Sequence, residues 1–344
     1  MRVRTGEGGG PLATIKDVAK LAGVSISTVS YALNNSPRIS KETRDKILQA
    51  ARQLNYQKNG IASDLKRNKT RTIALLVTDL AGPYYAELVR GIQDVAVSKE
   101  YDLLVCSSMG GETSTAVKFL AEKRVDGAIV MAHNISEEII AQSARKKFPI
   151  ILFDRCVTHE HVVSIEVDNE EGAFKAAEHL IENGHRSIAY ISGLAVSQLH
   201  QMRLRGYERA LRNYGLEDRM RLNQFGTFTR DNGYHMTKML IAQGHLPSAC
   251  MYANDEMAIG GLEAFKEHGV RVPEDVSVVG FDDIELAKYV RPALTTVMQP
   301  KYERGALAAH LIFQMLDGNT QDVQPYYKLP TQLVLRESVA RRTP

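Results

Sequence analysis

From Thr72 onward, short apolar runs alternate with segments of helical periodicity. This alternation constrains the fold more than any other feature of the chain. Strands separated by helices pair in parallel, and a parallel sheet needs helices on both of its faces. We predict buried strands over 72–79, 102–108, 126–132, 149–154, 187–193, 249–254 and 276–283. We predict helices over 84–98, 170–183, 231–243 and 255–268, and one near 202–214.

The number of predicted strands is too high for one compact sheet. The sequence therefore predicts an α/β chain with two doubly wound lobes and a cleft between them. A length of 344 residues, of which 44% are hydrophobic, is sufficient for two such cores. Ligands of open α/β sheets bind at the carboxyl ends of the strands, so we expect a binding site facing the cleft.

A different pattern precedes the alternation. Residues 14–34 read as two short helices joined by a tight turn at Gly23. Thr14 and Asp17 form a helix-start signal, and Ser25 can cap the second helix. The outer face of that second helix is free to meet base edges in a major groove. It carries Ile26, Ser27, Ser30 and Tyr31. With a third helix after Ser40, the pattern predicts a helix-turn-helix headpiece.

The charge distribution supports a nucleic-acid partner for this segment. Residues 1–70 contain 13 basic and 5 acidic residues, a net charge of +8. The whole chain has 43 basic and 40 acidic residues, so the remaining 274 residues carry 30 and 35, a net charge of −5. A basic segment joined to a mildly acidic body is typical of a polyanion-binding module on a soluble domain.

Several other classes of protein are disfavoured. No apolar run approaches the roughly 20 residues of a membrane span, and residues 1–12 look like a flexible tail, not a signal peptide. The odd number of cysteines, three, fits reduced thiols in the cytoplasm. No nucleophile elbow, dinucleotide fingerprint or Walker loop occurs at a strand–helix junction, so we predict neither an enzyme nor a cofactor. Residues 159–161 (His-Glu-His) could bind a metal ion, but the sequence indicates no third metal ligand. A solvated loop is therefore favoured over a metal site.

Motifs spread over residues 13–340 carry a resemblance to a known family. The most specific are IKDVAKLAGVSISTVS (15–30), LNYQKNGIASDL (54–65), PYYAEL (83–88), RLRGY (203–207), ANDEMAIG (253–260) and VVGFDD (278–283). In this order they resemble the lactose repressor/galactose repressor (LacI/GalR) family of transcription regulators. The resemblance implies a homodimer whose headpieces bind a near-palindromic double-stranded DNA operator, and a core like a periplasmic sugar-binding protein.

The resemblance also implies a division of the chain. After the tail (1–12) come a headpiece (13–57), a hinge (58–70) and an effector-binding and dimerisation core (71–344). Lobe one is expected over about 71–166 and 299–326. Lobe two is expected over about 167–298 and 327–344.

The implied DNA-binding residues follow from the same comparison. In the family the hinge folds into a helix on DNA, and a leucine at the position of Leu65 enters the minor groove and kinks the duplex. The full set is Thr14, Ser25, Ile26, Ser27, Thr28, Ser30, Tyr31, Asn34, Asn59, Ala62 and Leu65. Many family members have arginine where this chain has Tyr31, so the operator sequence cannot be transferred.

Candidate effector ligands lie where predicted strands end. They are Tyr84, Tyr85, Asp154, Arg203, Phe228, Asn254 and Asp282. Of these, Arg203 and Phe228 are placed by the resemblance. Flat rings, carboxylates, an amide and a guanidinium suit a neutral polyol, because each hydroxyl both donates and accepts. We therefore predict a sugar effector, with Arg203 and Asp282 as the leading direct ligands. For Asp255 and Asp283 we expect helix capping instead, and for Asp168 a role in joining the lobes.

One alternative remains open. Catabolite-control relatives respond to a phosphoprotein that docks on the core, and a helix over 302–316 with Arg304 and His310 would carry part of that surface. Its lack of a dense basic cluster makes this alternative weaker than a cleft ligand. The sequence leaves open whether an effector releases DNA or tightens its binding.

Overall fold

A computed structural model describes residues 13–56, 69–122, 124–193, 198–216, 221–223 and 227–342. The chain forms two compact units that meet in the sequence at Thr70 and Arg71. None of the helices in the described ranges is long and apolar enough to span a bilayer. Asn59, Ala62 and Leu65, the predicted hinge contacts, lie outside the described residues.

The first unit is a three-helix headpiece. Its helices are α1 (Ile15–Ala22), α2 (Ile26–Leu33) and α3 (Lys41–Gln53). The predicted start signal is present: the Asp17 carboxylate accepts hydrogen bonds from the Thr14 amide at 2.8 Å and hydroxyl at 2.7 Å. Gly23 ends α1 at φ 66°, a conformation that costs glycine little. Val18, Val29 and Ile47 are among the apolar side chains, one or more from each helix, that form a small core.

The second unit contains two six-stranded sheets. The first has the order β11-β5-β4-β3-β1-β2, with β1 (Thr72–Val77), β2 (Asp102–Ser107), β3 (Gly127–Val130), β4 (Ile150–Phe153), β5 (Val162–Val167) and β11 (Tyr326–Leu329). Its helices are α4 (Tyr85–Ser98), α5 (Thr115–Ala121), α6 (Glu137–Ser143) and α11 (Lys301–Leu316). All strands of this sheet run parallel, with Ile73 opposite Leu103 and Gly127 in the central register.

The second sheet has the order β12-β10-β9-β8-β6-β7. Its strands are β6 (Ile188–Ile191), β7 (Arg221–Asn223), β8 (Ala249–Tyr252), β9 (Ser277–Asp282), β10 (Thr295–Met298) and β12 (Gln332–Val334). Its helices are α7 (Asn169–Glu182), α8 (Gln198–Asn213), α9 (Arg230–Ala242) and α10 (Asp255–Glu267). Only β12 pairs antiparallel, against β10. The central strands are apolar and buried on both faces, as parallel sheets require.

The chain passes between the sheets three times, after β5, after β10 and after β11. Because β11 pairs with β5 through Tyr326–Leu329, the last passage follows Leu329 and not residue 326. The second passage leads directly into α11, which packs against α4 and the first sheet. At that contact a Cβ on Gly91 would lie 2.1 Å from the Tyr302 carbonyl oxygen, so only glycine permits the helices to approach this closely. The packing fixes the first turn of α11 above the strand ends.

Candidate DNA-binding surface and effector site

The outer face of α2 is accessible. Ile26 and Tyr31 are 46% and 41% exposed, although both are large and apolar. Ser25 and Ser27 are exposed as well, whereas Thr28 and Ser30 are half-buried. The Ser25 hydroxyl accepts the Thr28 amide at 3.1 Å and caps the helix. This face combines apolar surface with hydroxyl groups, the mixture that reads base edges and thymine methyls.

The two ends of the predicted DNA surface are also exposed. Thr14 precedes α1, and Asn34 ends α2 with its side-chain amide donating to the Ser30 carbonyl at 2.8 Å. The structure adds Arg38, which sequence reasoning missed. Its guanidinium lies 5.7 Å from the centre of the Tyr31 ring, and it is exposed. A cation held beside the outer face of α2 suits a phosphate contact.

In the core, side chains from both lobes form one continuous polar network at the strand ends. The Tyr84 hydroxyl donates to Gln299 Oε1 at 3.0 Å, and Gln299 Nε2 donates to Asp282 Oδ1 at 2.6 Å. The same Asp282 oxygen accepts from Arg203 Nη2 at 3.3 Å. Tyr84 belongs to lobe one and Asp282 to lobe two, so Gln299 bridges the lobes at the second passage of the chain.

Each half of this network is anchored by a buried arginine. Arg203 also donates to Asn169 Oδ1 at 2.9 Å and to the Ala253 carbonyl at 2.5 Å, and it stacks on Phe281. Arg304 donates to Asp154 at 2.7 Å and to Tyr84 at 3.3 Å. Both guanidiniums are thus held by charge-assisted hydrogen bonds in a dry environment.

Two of the predicted carboxylates occupy unusual backbone conformations. Asp154 has φ 59° and Asp282 has φ 116°, each at the end of its strand. Positive φ is costly for residues other than glycine and clusters at functional sites. Burial raises the pKa of Asp282, and the neighbouring Arg203 and Lys301 oppose that rise. Burial also raises the pKa of Tyr84, which keeps its hydroxyl protonated as a donor.

The remaining predicted ligands lie around this network. Tyr85 packs edge-on against Tyr84, with ring centres 5.7 Å apart. Phe228 is half-buried and close to Gly193, whose Cβ would lie 2.3 Å from its ring. Asn254 uses both amide atoms locally: it accepts the Met257 amide and donates to the Phe228 carbonyl, each at 3.0 Å. A contact between any of these side chains and an effector remains a prediction.

Three minor expectations can be compared with the structure. Asp255 does not cap α10; Asn254 does, and Asp255 is fully buried against Ile284 and Thr296. Asp283 pairs with Arg336 at 2.6 Å instead of capping the short 3₁₀ helix after it. Asp168 caps α7 and pairs with Lys328 of lobe one at 2.9 Å, so it does join the lobes.

The prediction that Arg304 forms part of a docking surface is wrong. It is only 1% exposed, so it cannot belong to a docking surface for a phosphoprotein, although His310 on the same helix is exposed. The sequence contained a signal for this, because Arg304 continues the buried stripe of Ala308, Leu311 and Met315 at helical spacing. Gln299 had no comparable signal, since it lies between a strand and a helix. In the described part of the chain, no three potential metal ligands cluster.

Comparisons with known proteins agree with this architecture. Residues 14–59 match the model for bacterial regulatory proteins of the lacI family, and residues 177–339 match a periplasmic binding protein-like domain. The catabolite control protein A of Priestia megaterium is 34% identical over 328 residues, which span 94% of this chain and 98% of that protein. The chain belongs to the LacI family.

Solved LacI-family structures support the assignment. The lac repressor dimer bound to operator and the anti-inducer ONPF is 29% identical, with a TM-score of 0.75, over 95% of this chain and 99% of that one. A family regulator from Enterococcus faecium with bound ribose is 28% identical, with a TM-score of 0.71, over 79% of this chain and all of that one. This LacI-family member is a DNA-binding transcriptional regulator with a ligand-binding core, and its relatives are regulators, not enzymes.

Proposed function

We propose that the protein is a cytoplasmic, homodimeric repressor whose affinity for a near-palindromic operator is set by a sugar bound between the lobes. The observation that carries the proposal is the network from Tyr84 through Gln299 to Asp282. It connects the two lobes at the strand ends, so a ligand that enters it alters their relationship. A ligand shifts a regulator only through different affinities for its two states, and a lobe-bridging site provides that difference.

The sugar class follows from the chemistry of the site. Tyr84 and Tyr85 supply ring faces for stacking, and Asp154, Asp282 and Arg203 supply acceptors and donors for hydroxyls. A solved relative with bound ribose has the same architecture. The docking alternative loses support because Arg304 is buried.

The DNA-binding half of the proposal is tested by salt titration. The net charge of +8 in residues 1–70 predicts many phosphate contacts by the two headpieces of a dimer. Operator affinity should therefore fall with a log–log slope of about −5 or steeper. A nearly flat slope would contradict the proposal. Leu65→Ala should weaken specific binding by about 2 kcal/mol through loss of the minor-groove wedge, while sugar binding to the core stays unchanged.

A further inference from the structure

The cations of the cleft are already engaged. Arg203 is held by Asp282, Asn169 and the Ala253 carbonyl. Arg304 is held by Asp154 and by the Ile165 carbonyl at 3.0 Å. Both are at least 96% buried. An incoming anion would have to compete with a carboxylate that each guanidinium already neutralises.

Two further cations near the strand ends are similarly occupied. Lys301 is 2% exposed and donates to the carbonyls of Asp282 at 2.6 Å and Asp283 at 3.1 Å. Arg155 donates to the carbonyls of Ala132 and Ile135, each at 2.8 Å. The donors of these two side chains are therefore largely occupied by backbone carbonyls and are not free for a new anion.

Glu256 places a carboxylate without an ion-pair partner among the described residues at the same edge. It is the second residue of α10 in lobe two, and its Oε2 lies 3.5 Å from the position that a Cβ would take on Gly82 of lobe one. Within the described ranges, no cation lies at ion-pairing distance from Glu256; the nearby Arg230 is paired with Glu263 at 2.9 Å instead. Glu256 is half-buried, and its charge acts on both Tyr85 and Asp282.

We infer that Glu256 determines the class of effector: the cleft takes an uncharged sugar and rejects its phosphate ester. The inference rests on the proposed function, because it concerns the same cleft. A carboxylate accepts hydrogen bonds from sugar hydroxyls, whereas it repels a phosphate dianion across a partly desolvated gap. Arg203 and Arg304, whose charges Asp282 and Asp154 neutralise, do not offset this repulsion. Specificity of this kind is built from a repulsive element against the wrong ligand.

The test uses matched ligands and the full-length chain. Titration calorimetry compares ribose with ribose 5-phosphate and glucose with glucose 6-phosphate, on the wild type and on Glu256→Gln. Glu263→Gln is the control, because Glu263 is on the same helix but exposed and paired with Arg230. The wild type should bind the phosphate ester at least about tenfold more weakly than its parent sugar, a difference of ~1.4 kcal/mol. Glu256→Gln should reduce that ratio about tenfold, and Glu263→Gln should leave it unchanged.

The outcomes separate the two ideas. If the wild type binds a phosphate ester as tightly as its parent sugar, or if Glu256→Gln leaves the ratio unchanged, the role of Glu256 is refuted and the sugar site stands. If neither sugar and neither phosphate ester binds, the proposed sugar site is refuted. The role of Glu256 in rejecting phosphate esters is then refuted as well. Circular dichroism of the three proteins would confirm that the substitutions leave the fold intact.

Discussion

At the scale of single residues, Asp255 provides a sharp test of the electrostatics of the core. It is fully buried, and it accepts hydrogen bonds from the Ile284 amide at 2.9 Å and the Thr296 hydroxyl at 2.5 Å. Burial raises its pKa well above 3.8, so the folded state holds this proton more tightly than the unfolded chain does. Stability contributed by the protonated carboxyl is therefore lost as the pH rises above about 4 toward the folded pKa.

Asp255→Asn should remove this dependence. The amide can accept from the Ile284 amide and donate to the Thr296 hydroxyl, so both hydrogen bonds survive without a charge. In urea unfolding between pH 5 and 8, the wild type should lose stability relative to the variant as the pH rises. Asp275→Asn is the control: Arg271 lowers the pKa of half-buried Asp275 to about 2, below this window. A constant difference between the wild type and Asp255→Asn would contradict the prediction.

Some residues of the candidate site can be located from the sequence, and others cannot. Asp154 and Asp282 are predicted because they end strongly apolar strands, and Tyr84 because it comes shortly after one; the structure brings the three together. The capping role expected of Asp255 belongs to Asn254, because an amide and a carboxylate at adjacent positions are both good helix caps. Both are buried, and only the tertiary contacts of Asp255 with Ile284 and Thr296 distinguish them.

At the scale of elements, α2 and α3 are both capped by a serine hydroxyl, so the two caps can be compared directly. Ser25 accepts the Thr28 amide at 3.1 Å, and Ser40 accepts the Thr43 amide at 3.3 Å. Replacing either serine by alanine should destabilise the headpiece by about 1 kcal/mol. Only Ser25 begins the predicted recognition helix, so Ser25→Ala should also weaken operator binding beyond the loss of stability. Amide hydrogen exchange and operator titration of both variants would measure the two effects; equal losses of operator affinity would remove Ser25 from the DNA surface.

The predictability of a strand depends on how continuously apolar its own sequence is. The interior strands β1, β3, β4, β6, β8 and β9 and the edge strand β2 lie at predicted strands, whereas the interior strands β5 and β10, which contain serine, glutamate and threonine, do not. No strand was predicted at the edge strands β11 and β12. β11 reads YYKL and alternates between exposed and half-buried, and β12 is only three residues long. Such short, half-polar segments acquire their structure from their pairing partners and carry little local signal.

At the scale of the whole molecule, the two-lobe architecture follows from the number of predicted strands, but the path of the chain does not. The first and third passages between the lobes meet in space although they are far apart in sequence, because the Thr331 hydroxyl donates to the Asp168 carbonyl at 3.4 Å. Their positions depend on pairings such as that of β11 with β5, which no local pattern records. The bridge at Gln299 exists because the chain crosses between the lobes at this point. Any coupling between the lobes through Gln299 depends on the same crossing.

That coupling leads to the last prediction. Arg203 lies on α8 and contacts the bridge through Asp282, whereas Arg209, six residues later on the same helix, pairs with Glu170 at 3.1 Å and stacks on Phe174. Arg203→Ala should abolish the effect of a bound sugar on operator affinity, and Arg209→Ala should preserve it. Loss of a buried charged partner corresponds to roughly 1.5–3 kcal/mol, or sugar binding weakened ~10- to 150-fold. Operator affinity without sugar should change little in either variant, because the headpiece has its own core.

The measurement is an operator titration with and without the sugar that binds the wild type most tightly, alongside calorimetry of that sugar on each variant. Arg203→Ala leaves Asp282 buried without its guanidinium, which destabilises a core, so thermal unfolding must first establish that the variant is folded at the assay temperature. If folded Arg203→Ala still responds fully to the sugar, the effector does not act through Asp282 and Gln299. If Arg209→Ala loses the response equally, the effect belongs to α8 as a whole and not to the lobe-bridging network.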